Sequence, residues 1–203
     1  VYDKSKPALG LAARSHVKLT LQGTNTLISG GNYAGLNVPE GATLEITAAT
    51  DEGNELIAKC VNDGGAAGAG IGGNGLDNFS NSGQIVISSG TITASSESTG
   101  TGIGGGQRGY GNVSITGGTI TATGDSGAGI GNGFGGKGGT ISISGGTITA
   151  TGGYGAAGIG GGDAYRENST CGSITITGGT IKAQGGGWAA GIGNGFWREE
   201  PTS

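Results

Sequence analysis

The sequence predicts an all-β chain folded as a single-stranded, right-handed parallel β-helix of about six to seven coils, each made of three short strands. Three observations carry this. One segment is copied: GGTITATGGYGAAGIGGG at 145–162 returns as SSGTITASSESTGTGIGGG at 88–106, GGTITATGDSGAGIGNG at 117–133 and GGTIKAQGGGWAAGIGNG at 178–195. Copying at this period marks a solenoid built from one supersecondary unit. Within each copy, apolar and hydroxyl residues alternate with period two, which is the strand pattern. Glycine supplies 52 of 203 residues and stands at fixed places between the alternating runs, unlike the glycine of a disordered linker.

The chain reads as one domain, 1–203, with irregular first coils over 1–50, regular coils over 51–197 and the start of a linker at 198–203. The first coil offers Val17-Lys18-Leu19-Thr20-Leu21 as a good first wall, but its second wall puts Asn25 where an isoleucine usually stands. In the regular coils, wall one carries the inward pairs Leu44/Ile46, Ile85/Ile87, Val113/Ile115, Ile141/Ile143 and Ile174/Ile176. A glycine corner leads to wall two, where Leu56, Ile92, Ile120, Ile148 and Ile181 face in. Wall three has a single large inward residue per coil: Leu11, Leu36, Ile71, Ile103, Ile130, Ile159 and Ile192, spaced by 25, 35, 32, 27, 29 and 33 residues. The variation in these intervals falls mostly after the marker, at 76–82 and 163–169, so insertions gather in loops along one edge.

A helical reading fails because Thr, Ile and Gly-Gly are poor helix formers. An antiparallel sandwich would not deliver the same inward set at the same offset each time. Parallel coils stacked about 4.8 Å apart make a rod roughly 30–35 Å long, and right-handed winding follows the preference of parallel crossovers. Beyond Trp197 the chain is expected either to continue or to fold Phe196 and Trp197 over the last coil.

Several function classes recede on composition. The formal net charge is −4 and no basic cluster exists, so nucleic acid is not an expected partner. No apolar run is long enough to span a bilayer, and residues 1–6 lack the form of a signal peptide. The glycine segments such as Gly102 to Gly106 are not followed by Gly-Lys-Ser/Thr and lack a strand-to-helix setting, so they are corners and close-approach positions rather than phosphate loops. Outward wall positions show no paired carboxylates at glycosidase spacing, and no catalytic residue, cofactor or metal site is expected. His16 reads as a surface histidine at the N-terminal edge. Asp163, Arg166 and Glu167 share an insertion loop in which solvation is the plainer role, with calcium or substrate as the alternative. Cys60 and Cys171 are four coil intervals apart, beyond the roughly 7 Å reach of a disulfide, and are expected to be free thiols.

The iterated GTITATGG at 146–153 and AGIGGG at 157–162 resemble the glycine-rich β-helix regions of bacterial cell-surface proteins. Val17 to Gly23, Tyr33 to Leu36 and Gly41 to Ile46 are similar to the way such regions begin. The resemblance covers nearly the whole chain. It implies a piece of a longer protein, secreted or attached to the cell wall, with adhesive or carbohydrate-binding roles, and it carries over no catalytic residue. The expected partner is therefore a cell-surface or dietary glycan, or a host surface protein, met by a monomeric module.

Two outward features carry candidate sites. Tyr33, Tyr154 and Trp188 precede wall three, while Tyr110, Phe134, Tyr165, Phe196 and Trp197 follow it. None lies on an inward column, so they should fringe wall three from both sides. Such a ridge of rings suits stacking against sugars, although rings can equally cover glycine corners. Thr93, Thr119, Thr121, Thr147 and Thr149 belong to repeated Thr-Xaa-Thr runs on wall two and should align as a grid that resembles ice-binding solenoids. Threonine is also an ordinary outward strand residue, and Lys182 and Gln184 break the grid in the next coil. The readings in order are an adhesive or glycan-binding surface module, an ice-binding solenoid, and a polysaccharide-active enzyme or plain spacer.

Overall fold

A computed structural model describes residues 5–50, 53–64, 68–75, 79–165 and 169–198. Every regular element among them is a strand, and the strands stack into three parallel walls. Wall one has six strands: His16–Leu21, Thr43–Ala48, Gln84–Ile87, Asn112–Ile115, Gly138–Ile143 and Cys171–Ile176. Wall two also has six: Thr24–Gly30, Glu55–Val61, Thr91–Ser96, Thr119–Thr123, Thr147–Thr151 and Thr180–Gln184. Wall three is a stack of seven two-residue strands, from Leu9–Gly10 to Ile192–Gly193. The chain is thus a parallel β-helix of six full coils, preceded by one strand of wall three.

The inward columns are those the alternation predicts. Ile85, Val113 and Ile141 pair in register on wall one, as do Ile92, Ile120 and Ile148 on wall two and Ile71, Ile103, Ile130 and Ile159 on wall three. All are 0–1% exposed. Each such isoleucine contributes about 1.5–3 kcal/mol of apolar burial, and because every coil touches only its neighbours, stability is a sum over coil-on-coil contacts.

From the second coil onward wall three is narrow because a glycine follows its apolar residue; in the first coil Asn37 holds that place. Gly72, Gly104, Gly131, Gly160 and Gly193 share φ between 133° and 140°. A Cβ on Gly131 would lie 2.2 Å from the Gly160 carbonyl oxygen. From the second coil to the sixth, the coils approach this closely only because the column carries no side chains.

One placement differs from the sequence reading, and the last coil has two features of its own. Leu9, not Leu11, pairs with Leu36 and begins wall three. Leu9 and Leu11 have the same strand parity, so alternation cannot separate registers two residues apart; the backbone decides, with Leu9 N–H on the Gly35 carbonyl and Leu11 N–H on that of Asn37. Among the described residues, the segment after the last coil, 194–198, does not fold over its end. Trp197–Arg198 instead runs parallel to Ala164–Tyr165, Ala164 opposite Trp197, as a small fourth sheet. Finally, Ile176 and Ile192 in that coil are 38% and 46% exposed.

Candidate functional site

The corner between walls two and three gathers the outward aromatics. In the fifth coil, Gly152-Gly153-Tyr154-Gly155 turns this corner, and in the sixth Gly185-Gly186-Gly187-Trp188 does the same. Large side chains here have no inward space: a Cβ on Gly153 would lie against the Asp125 backbone and one on Gly186 against Gly153. The rings therefore project outward, Tyr154 53% and Trp188 69% exposed. Their centroids are 6.3 Å apart with planes at 82°, an edge-to-face pair.

Phe196 joins them by an indirect route. Wall three is two residues long, so the chain reverses at once and the residue beyond it returns to the corner of the preceding coil. Phe134 N–H donates to Thr99 O (2.8 Å), Asp163 N–H to Ser126 O (2.9 Å) and Phe196 N–H to Gly155 O (2.6 Å). Phe196 thereby reaches Trp188, with ring centroids 5.2 Å apart and planes at 38°. Tyr154, Trp188 and Phe196 form one contiguous aromatic patch at the C-terminal end of the edge.

The other fringe residues stay apart from this patch. Phe134 is half-buried at the third-coil corner. Tyr33 is half-buried in the first coil, four coils and about 19 Å below Tyr154 at about 4.8 Å per coil. Tyr110 faces another edge, where its hydroxyl donates to Glu40 Oε1 (2.9 Å) and Asn81 Nδ2 donates to Glu40 Oε2 (3.3 Å). That hydrogen bond to Glu40 raises the Tyr110 phenol above its ordinary range. The backbones of Tyr165 and Trp197 are in the fourth sheet, and their side chains lie outside the described residues. Phe79, 76% exposed in the loop after the second coil, is an aromatic that the sequence reading passed over. It follows Ala69-Gly70-Ile71, so the rule that picked Phe134 and Phe196 also marks Phe79.

The threonine grid is in register. Thr91, Thr119 and Thr147 make one column, Thr93, Thr121 and Thr149 the next, and Ser95, Thr123 and Thr151 the third. Below it the columns continue as Glu55, Ile57 and Lys59, and above it as Thr180, Lys182 and Gln184. Lys59 pairs with Glu97 at 2.5 Å, and the Glu97 carboxyl is lowered chiefly by that hydrogen bond. All three columns carry hydroxyls over three coils; Thr180 extends the first column, while Glu55, Ile57 and Lys59 on one side and Lys182 and Gln184 on the other end the grid.

Other candidate chemistry is engaged in structure. His16 Nε2 lies 2.9 Å from Glu45 Oε1 on the exposed face of wall one. Cys60 and Cys171 are free. Burial pushes the Cys60 thiol up to about 12 and also raises that of Cys171, which removes thiolate at neutral pH. Asp163 is buried, its Oδ1 accepting from Ala164 N–H at 2.9 Å; Arg166 and Glu167, named with it in the sequence, lie outside the described residues. Among the described residues no three His, Cys, Asp or Glu side chains gather as a metal site.

The family model described as beta helix repeat matches residues 85–107, 113–134, 141–163 and 174–196. Each match starts on the first inward residue of wall one, at Ile85, Val113, Ile141 and Ile174, and ends just beyond wall three, so one repeat is one coil. Residues 85–196 form a beta helix repeat region. The aromatic patch and the threonine grid both lie on these repeats. No curated protein and no solved structure matches the chain.

Proposed function

We propose that this chain is a non-enzymatic β-helix module of a bacterial surface protein, secreted or wall-attached, that binds carbohydrate through Tyr154, Trp188 and Phe196. The observation that carries the reading is the exposure of two large rings, 53% and 69%, on a rigid corner with a third ring packed beside them. Exposed aromatic clusters mark binding surfaces, and flat rings with few rotatable bonds present apolar area to a sugar face at low entropic cost. Threonine and serine hydroxyls on the adjoining wall add hydrogen-bonding partners. Beta helix repeats serve enzymes and non-enzymes alike; the raised thiols and the engagement of Glu40, Glu45 and Glu97 by neighbouring side chains favour the binding role.

On a glycan array, the wild-type chain is expected to bind a defined subset of neutral glycans, and the Tyr154→Ala/Trp188→Ala double variant to lose at least about tenfold in affinity, since hot-spot aromatics contribute about 2 kcal/mol or more. Both substitutions are at exposed positions, so the far-UV spectrum should stay unchanged. Equal array binding by the two proteins would reject the reading.

The in-register threonine columns favour a second reading, ice binding by wall two. It predicts thermal hysteresis in the wild-type protein that is abolished by Thr121→Lys at the centre of the grid. A wild-type protein without hysteresis removes this reading and leaves the aromatic one untouched.

A further inference from the structure

The corner between walls one and two carries a cavity well apart from the aromatic patch. In the third coil this corner takes only residues 88–90, but in the second it takes 47–54, because Ile46 pairs with Ile87 and Glu55 with Thr91. The longer corner encloses a cavity of about 420 Å³ against the next two coils, with Thr50, Gly53 and Asn54 on one side and Thr91, Gly118 and Thr119 on the other. Ligand cavities span about 300–1,000 Å³. Asp51 and Glu52, within the longer corner, lie outside the described residues and are no part of the site.

The inserted corner is tied to the coils on both sides. Asn54 is 5% exposed; its Nδ2 donates to the Thr50 carbonyl (2.9 Å) and hydroxyl (2.7 Å), and its Oδ1 accepts from Gly23 N–H in the first coil (3.1 Å). Ala48 N–H donates to Ser89 Oγ in the third coil (2.8 Å). The cavity is thus shaped before any ligand arrives. From Gly118 its floor continues as a strip without side chains, Gly117-Gly118 in the fourth coil and Gly145-Gly146 in the fifth. A Cβ on Gly117 would lie 2.3 Å from the Ser88 carbonyl oxygen, and one on Gly145 2.3 Å from that of Thr116. Exposed hydroxyls border the strip, Ser88, Thr116, Ser144 and Thr177 from wall one. Thr91, Thr119, Thr147 and Thr180 do so from wall two.

The chemistry of this lining selects its ligand. Hydroxyls both donate and accept, and no described residue of the cavity or of either border is charged. An ion entering here would lose hydration without meeting a counter-charge. A peptide strand would need open ladder positions, but Thr119 N–H is already donated to Gly90 O and Thr147 N–H to Gly118 O, each at 2.9 Å. An uncharged ligand rich in hydroxyls fits, and the bare strip leaves room for a chain to continue from the cavity. We propose that this cavity is a second carbohydrate site, which seats the terminal sugar of a linear neutral oligosaccharide. It is independent of Tyr154, Trp188 and Phe196, which stand at the corner between walls two and three.

The test is an amide NMR titration of the isotope-labelled chain with linear neutral pentasaccharides of glucose, galactose, mannose and N-acetylglucosamine. At least one should move the amides of Gly90, Gly118 and Thr119, and those shifts should persist in the Tyr154→Ala/Trp188→Ala variant. Thr91→Val/Thr119→Val removes two exposed hydroxyls on strands that accept valine well. It should weaken that binding by about tenfold, the effect of losing two hydrogen bonds, with an unchanged far-UV spectrum. The proposal is overturned if none of the four probes moves these amides, or if the valine variant binds as tightly as the wild type. It is equally overturned if the shifts vanish in the aromatic variant, since the sugar would then sit on the patch. The glycan array reports on the patch, so either site can fail alone.

Discussion

Gly131→Ala is expected to destabilise the solenoid by at least about 4 kcal/mol, the range reached only by changes that the native packing cannot absorb. Gly131 has φ 134°, and the added methyl would lie 2.2 Å from the carbonyl oxygen of Gly160 in the next coil. That atom is backbone in a parallel ladder and cannot rotate away. Relief requires the fourth and fifth coils to separate, which also breaks the Ile130–Ile159 contact beside it. Gly23→Ala provides the control. Gly23 also has positive φ, 64°, but nothing lies within 4 Å of the added atom, so only backbone strain of about 1 kcal/mol remains. Urea unfolding followed by far-UV circular dichroism separates the two. A Gly131→Ala loss no larger than that of Gly23→Ala would mean the coils do not stack as closely as described.

The second large effect is graded along a single column. Ile143→Ala, at 0% exposure, should cost about 2–5 kcal/mol through lost burial and the cavity left behind. Ile176→Ala, the same substitution one coil later at 38% exposure, should cost less than about 1 kcal/mol in dilute solution, because the site opens to water and leaves no enclosed void. The chemistry removed is identical, so the difference measures the enclosure that the next coil provides. Equal losses at the two sites would mean that the last coil is covered.

The binding reading depends on the same rigidity. Tyr154 and Trp188 are held outward because the glycines beneath them leave no room for an inward side chain, and Phe196 arrives beside them because wall three is too short to carry the chain away. The patch is therefore set by backbone packing before any ligand arrives, which is the preorganisation that gives affinity at low entropic cost.

The amino-acid pattern alone determined the walls, the inward columns and the fold. Ile141 and Ile143 face in because alternation has period two, and they meet Ile174 and Ile176 because the unit is copied; both facts are local and survive without knowledge of contacts. The outward place of the threonine columns follows from the same parity, whereas Tyr154 and Trp188 stand in corner turns outside the strands. Only the tertiary structure decided which outward residues meet. Phe196 reaches Trp188 by a chain reversal and Tyr110 turns to Glu40 on another edge, although both follow wall three in sequence. It also placed Leu9, not Leu11, on Leu36 and paired Trp197–Arg198 with Ala164–Tyr165. The physical reason is common to these cases: side-chain alternation reports which face a residue occupies, whereas its partner depends on backbone hydrogen bonds and loop lengths between coils, and no single repeat encodes them.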